Sequence, residues 1–306
     1  MLCRMDEIAK LKQLIGTQGL TDLVLIGSEF AQADFGFGLE QIDSPFQSQQ
    51  SMSSALITLA LEAGSRLDMA KPIADFSLFG ARFNAVLPQG VSGKPLLSVR
   101  VHPRVRVELR HLEEAGMISQ SEHRFLTNQL HTKRNILISG ATSSGKTTLL
   151  QALLTELPER VLVLEQTPEL IVEPPALALT ERISNQEGFG AIDLSDLVVT
   201  ALRMRPDRIV VGEVRSREFK VLLQAMNNGH TGTLATLHAS SLEEIPHRIA
   251  MLGVLSGLEV GLTNRMVAAS VHLFIQLERV GASRKLVGIA RPLLHGNDLV
   301  IERVQL

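Results

Sequence analysis

The sequence predicts an α/β protein with a small N-terminal α/β domain and a larger C-terminal domain built on a helix-covered, largely parallel sheet. Three observations carry this. In the second half, four apolar runs alternate with helical stretches: NILIS (135–139), VLVLE (161–165), RIVVGE (208–213) and GTLATL (232–237). Such runs read as strands buried on both faces, and the alternation is that of crossover units. The first half instead holds short strand candidates broken by polar residues, with two helical stretches among them. Between the halves, HPRVRVELRH is Pro-marked and basic, as a linker would be.

Taken in order, residues 1 to about 19 read as a charged helix, and LTDLVLIGSEF as a strand entering a Gly-Ser turn. GLEQIDSPFQSQQS is expected to be a loop or short hairpin. From Met52 to Ala63 the spacing of Leu56, Leu59, Ala60 and Ala63 predicts a helix. ADFSLFG, ARFNAVL and PLLSVRV then read as strands, separated at Gly80 and the PQGVSGKP loop. The N-terminal domain is expected over 1–101, the linker over 102–112 and the C-terminal domain over 113–306. The tail, VHLFIQLE, KLVGIARPL and DLVIERV, reads as a meander turning at Gly281 and Gly296–Asn297.

Composition removes several functions. The 306 residues are 45% apolar with a formal net charge of -2, so disorder is not expected and there is no basic excess for stable nucleic-acid binding. Cys3 is the only cysteine, which leaves no intramolecular disulfide and no thiolate metal cage. The N-terminus lacks the apolar core of a signal peptide, and no stretch is long enough to span a bilayer. A cytoplasmic location is the expectation. Tyr and Trp are absent, so any purine platform has to be aliphatic, Phe or Arg.

The chemistry begins at GATSSGKT, Gly140 to Thr147, which fits G-x-x-x-x-G-K-[ST]. An apolar strand precedes it. A helix with Leu150, Leu153, Leu154 and Leu157 on one face follows, closed by Pro158. In this arrangement the glycines let backbone N–H groups surround phosphate oxygens, and the helix N-terminus adds positive charge. Gly140, Ala141, Thr142, Ser143, Ser144, Gly145, Lys146, Thr147 and Thr148 are thus the expected nucleotide-binding residues. Lys146 is to reach the β- and γ-phosphates, and the Thr147 hydroxyl to ligate Mg²⁺. The second domain is accordingly expected to be a RecA-like P-loop NTPase domain, with ATP and Mg²⁺ as cofactors.

Two carboxylates, Glu165 and Glu213, end apolar runs at the edge where open α/β sheets collect ligands. Glu165 is assigned as the base that polarises water and Glu213 to the metal shell, with the reverse nearly as well supported. Glu169, after Pro168, reads better as a solvated side chain. Arg203, Arg205, Arg208 and Arg215 surround the Glu213 run. Guanidinium suits a transferring phosphoryl group, so Arg205 and Arg215 are catalytic candidates, acting within the chain or on a neighbouring subunit; surface ion pairing is the plain alternative. In NNGHTGTLATLHASS, seven residues separate His230 from His238, which is not a zinc-pair spacing. His238 ends a strand, where an imidazole could sense a γ-phosphate or its water. His230 is grouped with the nucleotide-binding residues, and the flanking Gly229 and Gly232 give the segment room to move.

Four ordered motifs now resemble those of the secretion-type traffic ATPases, most of all the CpaF/TadA-type motor of tight-adherence (Flp-type) pili, related to type IV secretion ATPases. GATSSGKTT resembles the family's Walker A, LEQTPEL its Asp box, LRMRPDRIVVGEVR its Walker B and LQAMNNGHTGTLATLHASS its His box. Gln166 departs from the pattern, which has Asp after the Glu. The resemblance implies a homo-hexameric ring with ATP sites between subunits, peripheral to the inner face of the cytoplasmic membrane and working on an integral-membrane platform protein. It also implies that Arg82 and Arg100 approach the nucleotide. A DNA-dependent motor and a nucleotide-binding scaffold with little turnover are the competing readings.

Overall fold

A computed structural model of the chain describes residues 2–36, 38–101, 106–182, 190–281 and 283–306. Two compact units emerge, one with its main body in Met1–Pro103 and the other in Arg104–Arg182 and Ile192–Leu306.

The first unit runs α1 (Leu2–Ile15), β1 (Asp22–Ile26), β2 (Phe30–Asp34), β3 (Leu39–Ile42), α2 (Gln49–Glu62), β4 (Ile73–Leu78), β5 (Ala81–Val86) and β6 (Leu96–Val101). Its strands form one antiparallel sheet in the order β3-β2-β1-β6-β5-β4. Alternate residues, among them Leu23, Leu25, Phe83, Leu97 and Val99, are fully buried against Met52, Leu56 and Leu59 of α2 and Leu11 of α1, so one face is core and the other is solvated. Ser48 caps α2 in a reciprocal pair with Ser51, which starts the helix three residues ahead of the Met52 expectation. The sheet has two more strands than the four clearest candidates. β2 escapes detection because its buried residues are Ala31 and Ala33, not β-branched ones. β3 lies in the segment expected to be a loop or hairpin, and it is an edge strand with almost nothing buried.

The second unit runs α3 (Leu109–Glu114), α4 (Gln120–His131), β7 (Ile136–Gly140), α5 (Lys146–Thr155), β8 (Val161–Glu165), β9 (Leu177–Thr180), α6 (Leu194–Arg203), β10 (Arg208–Val211), α7 (Glu218–Asn227), β11 (Leu234–Leu237), α8 (Ile245–Leu255), α9 (Val260–Ser270), β12 (Leu273–Val280), β13 (Ser283–His295) and β14 (Asp298–Arg303). Of the expected linker, residues 102–105 lie outside the described residues, while Leu109 and Leu112 are already buried in this unit's core.

Eight strands form its sheet in the order β14-β13-β12-β7-β11-β10-β8-β9. From β12 to β9 neighbours are parallel, and β13 and β14 add an antiparallel edge. The tail is therefore a meander, as its pattern predicts, but one whose first strand joins the central sheet beside β7. Strand residues alternate between two cores. Ile136 and Ile138 pack with α3, α4 and α5, and Leu137, Leu162 and Leu164 with α6, α7, α8 and α9. This sandwiching is why the strands are continuous apolar runs. Helix α5 buries Leu149, Leu150, Ala152, Leu153 and Leu154, so it is an interior helix and not one with a single apolar face. Among the described residues no helix is long and apolar enough to cross a membrane.

Candidate active site

The carboxyl ends of β7, β11, β10 and β8 lie side by side, since the parallel registers match Ser139 with Leu237 and Leu164 with Val211. The loop after β7 turns on positive φ angles at Gly140 (155°), Ser143 (62°) and Gly145 (96°). A Cβ on Gly140 would stand 2.6 Å from the Leu277 carbonyl oxygen, so only glycine fits where the loop presses on β12. Gly145 caps α5 with no side-chain acceptor, which leaves the first-turn N–H groups free for an anion. Ser144 is buried. Ala141, Thr142, Ser143 and Thr148 are exposed around it.

Lys146 is 8% exposed and donates from Nζ to the carbonyls of Gly140 and Ala141, both at 2.8 Å. Burial lowers its pKa, and Arg215 pushes the same way while Glu213 and Glu169 oppose it. The amine is thus held inside the loop among the residues that follow β8 and β10. Glu213 sits two residues past β10. Its Oε2 accepts from Arg215 Nη2 at 2.7 Å, and its Oε1 lies 3.0 Å from His238 Nε2, one residue past β11. Burial works against ionising Glu213, but Arg215, His238 and Lys146 together outweigh it and hold the carboxyl below its ordinary range. His238 is pushed the other way: burial and then the Lys146 charge lower its pKa, against Glu213. Its ring is therefore biased towards the neutral form, which can donate one N–H and accept on the other nitrogen.

Arg215 also donates from Nη1 to Gln166 Oε1 at 3.0 Å. Gln166, which departs from the family pattern, is thereby tied to Glu213 through a shared guanidinium. Glu169 accepts from the Thr147 hydroxyl at 3.2 Å, so the residue read as solvated stands beside the hydroxyl assigned to Mg²⁺. Neither partner was visible in the sequence; the available signal was their position in the short turn leaving β8. Glu165 is 3% exposed and folds into that same turn, where its Oε1 accepts from the backbone N–H of Glu169 and Leu170, both at 3.1 Å. Burial pushes its pKa up to about 7, and its Oε2 is buried with no partner.

Other expected residues are not brought here. Arg205 is exposed, three residues before β10, and so lies at the amino edge of the sheet. His230 is likewise at that edge: its N–H donates to the Ala225 carbonyl at the end of α7, and its own carbonyl accepts from Thr233, just before β11. His230, grouped with the nucleotide-binding residues, thus stands at the opposite edge of the sheet from its own chain's phosphate loop. A strand separates the two histidines, and only His238 reaches the carboxyl edge. Arg203 is exposed on α6. Arg208 is buried and pairs with Glu159 and the Leu130 carbonyl, a packing role. In the first unit, Arg100 pairs with Asp22 at 2.9 Å and Arg82 lies 3.6 Å from Asp75.

These residues fit a nucleoside triphosphate. The loop offers uncapped helix N–H groups, and a buried amine whose hydrogen bonds are to carbonyls alone. Among the described residues no cluster of three or more His, Cys, Asp or Glu could hold a metal. Mg²⁺ takes few protein ligands beside phosphate oxygens and water, and the Thr147 hydroxyl in the first turn of α5 is of the kind it takes.

A strand-ended phosphate loop facing an Arg-paired glutamate and a histidine defines a P-loop ATPase. The chain belongs to the Type II/IV secretion system protein family, whose profile matches residues 81–287. It is 36% identical over 285 residues to a Mycobacterium tuberculosis (strain H37Rv) protein named for conjugal transfer, covering 90% of this chain and 81% of that one. Among solved structures, the Legionella pneumophila ATPase DotB aligns with a TM-score of 0.62 at 20% identity, over 94% of this chain and 79% of that one. The pilus retraction motor PilT with bound ADP aligns with a TM-score of 0.62 at 19% identity, over 97% and 81%. Both structural likenesses are likenesses of fold.

Proposed function

We propose that the chain is a Mg·ATP-driven motor that powers assembly of Flp-type, tight-adherence pili or secretion of protein subunits. It works as a cytoplasmic homo-hexamer at the inner face of the membrane, against an integral-membrane platform protein. The observation that carries this reading is the convergence of Lys146, Glu213, Arg215 and His238 at adjacent strand ends.

Thr147 and Glu213 would hold the magnesium, which supplies charge neutralisation on the phosphates. Glu213 would also orient the attacking water, because it is the ionised carboxylate facing Lys146. Glu165, turned into its own backbone turn, supports the residues after β8 instead of acting as base. Arg215 keeps Glu213 ionised. His238, 3.0 Å from the same carboxylate, would use its one N–H for the terminal phosphoryl group or its water when nucleotide is bound. Arg205 and Arg100 are left for action in trans, across the heterologous interface that a closed ring requires.

Purified protein is expected to release phosphate from ATP in the presence of Mg²⁺, and Lys146→Ala to abolish this, as judged by a phosphate-release assay. Undiminished turnover in that variant would overturn the reading. Tight ATP binding without release in the wild type would favour the scaffold alternative, and stimulation by DNA the nucleic-acid motor.

A further inference from the structure

A cavity of about 540 Å³ adjoins the phosphate loop on the side of α8. Ala141 and Thr142 of the loop, His238 and the residues after it, and Arg248 of α8 line it. It opens beside the first residues of the loop, whose carbonyls hold the Lys146 amine. Glu243 and Glu244 also face it. Each is already engaged: Glu243 accepts from Arg303 at 2.7 Å, and Glu244 accepts from the Ser240 backbone N–H at 3.0 Å.

Arg248 is not so engaged. Its Nε is buried and has no hydrogen-bond partner, and its charge is felt at His238. Arg248 lines the cavity, so an anion entering it can supply the acceptor that this N–H lacks. Pairing with phosphate would be charge-assisted and fork-shaped.

We propose that this cavity takes up the inorganic phosphate released at the loop, with Arg248 as the side chain that binds it. The proposal rests on the ATPase reading and adds the product's site to it. Because Arg248 lies on the helix following His238, phosphate held there ties α8 to the strand-end histidine. Its departure then frees α8 after hydrolysis, so that phosphate release, not bond cleavage alone, sets when this helix moves.

The test is calorimetric titration of inorganic phosphate into the full chain saturated with Mg·ADP. Wild type is expected to bind phosphate. Arg248→Gln should bind it about tenfold or more weakly, the loss of one charge-assisted contact, at unchanged ADP affinity. Arg248→Lys, which keeps the charge without the fork, should fall between, and it carries the comparison if the Gln variant does not fold. Equal phosphate affinity in wild type and variant overturns the proposal, as does a wild type that takes up none. A wild type that fails to bind Mg·ADP sinks the nucleotide reading instead. Phosphate titrated into the nucleotide-free chain then decides the cavity by the same comparison.

Discussion

Glu165 and Glu213 are the same residue type at neighbouring strand ends, and their surroundings drive them apart. Glu213 has a guanidinium, an amine and an imidazole around it and is held ionised. Glu165 has two backbone N–H donors against nearly complete burial, and its pKa rises to about 7. The folded chain therefore binds a proton at Glu165 more tightly than the unfolded one. Glu165's contribution to stability is fully present below the unfolded pKa near 4.5, falls as pH rises from there, and is lost above about 7. The shift corresponds to about 3 kcal/mol. In protein free of nucleotide and metal, Glu165→Gln should lack this slope, match wild type near pH 4.5, and exceed it by about 1–3 kcal/mol at pH 8. Urea denaturation across that range checks it, and an unchanged slope in the variant would refute the assignment. The glycine spacing and strand-end positions made the loop, Lys146, Glu213 and His238 legible in the sequence. Gln166 and Glu169 were not, because their roles depend on how the turn after β8 folds back on Arg215 and Thr147. His230 was grouped with His238 although it precedes β11 and His238 follows it, so chain direction alone puts the two imidazoles at opposite edges of the sheet.

Elements tell a similar story through packing. The interior strands β7, β8, β10 and β11 were read directly because burial on both faces leaves an unbroken apolar run. The edges β3 and β9 were not, since they bury almost nothing. Helix α8 shows a contact that no sequence pattern reveals. A Cβ on Gly253 would stand 2.2 Å from Thr263 Oγ1 and 2.9 Å from Thr263 Cβ in α9. The Thr263 hydroxyl is held by its bond to the Glu259 carbonyl at 2.9 Å, so the crowding cannot be relieved by a rotation at no loss. Helix propensity favours alanine over glycine by about 1 kcal/mol, whereas overpacking costs about 1–3 kcal/mol. The backbone-proximal clash decides the sign. Gly253→Ala should lower stability, and adding Thr263→Ala should recover at least part of it. Denaturation of the two variants measures this, and a single variant more stable than wild type would show that the helices separate freely.

At the scale of the molecule, the question is why one chain should be insufficient. The phosphate loop is complete within its own unit, but the arginines at the amino edge of the sheet are a strand away from it. Arg205 is exposed there, and Arg100 is exposed on a different unit. If such guanidinium groups act on phosphate, they act on a neighbour's, and the contact between copies is head-to-tail. A head-to-tail contact either closes into a ring or grows into a filament. A nucleotide gripped from both sides of that contact binds the assembled state more tightly than the single chain, and by linkage it drives assembly. The homo-hexamer proposed for the chain, six copies of 33.4 kDa, would be a closed ring of roughly 200 kDa. Light scattering should therefore find that mass with Mg·ATP at nucleotide concentrations far above Kd, and a smaller species after nucleotide removal. Arg205→Ala should weaken nucleotide-driven assembly and turnover together while leaving the single chain's melting temperature within about 1–2 °C, as expected of an exposed side chain. Full assembly and full turnover in that variant would place the trans-acting group elsewhere. A mass that grows without limit on adding Mg·ATP would mean that the interface does not close.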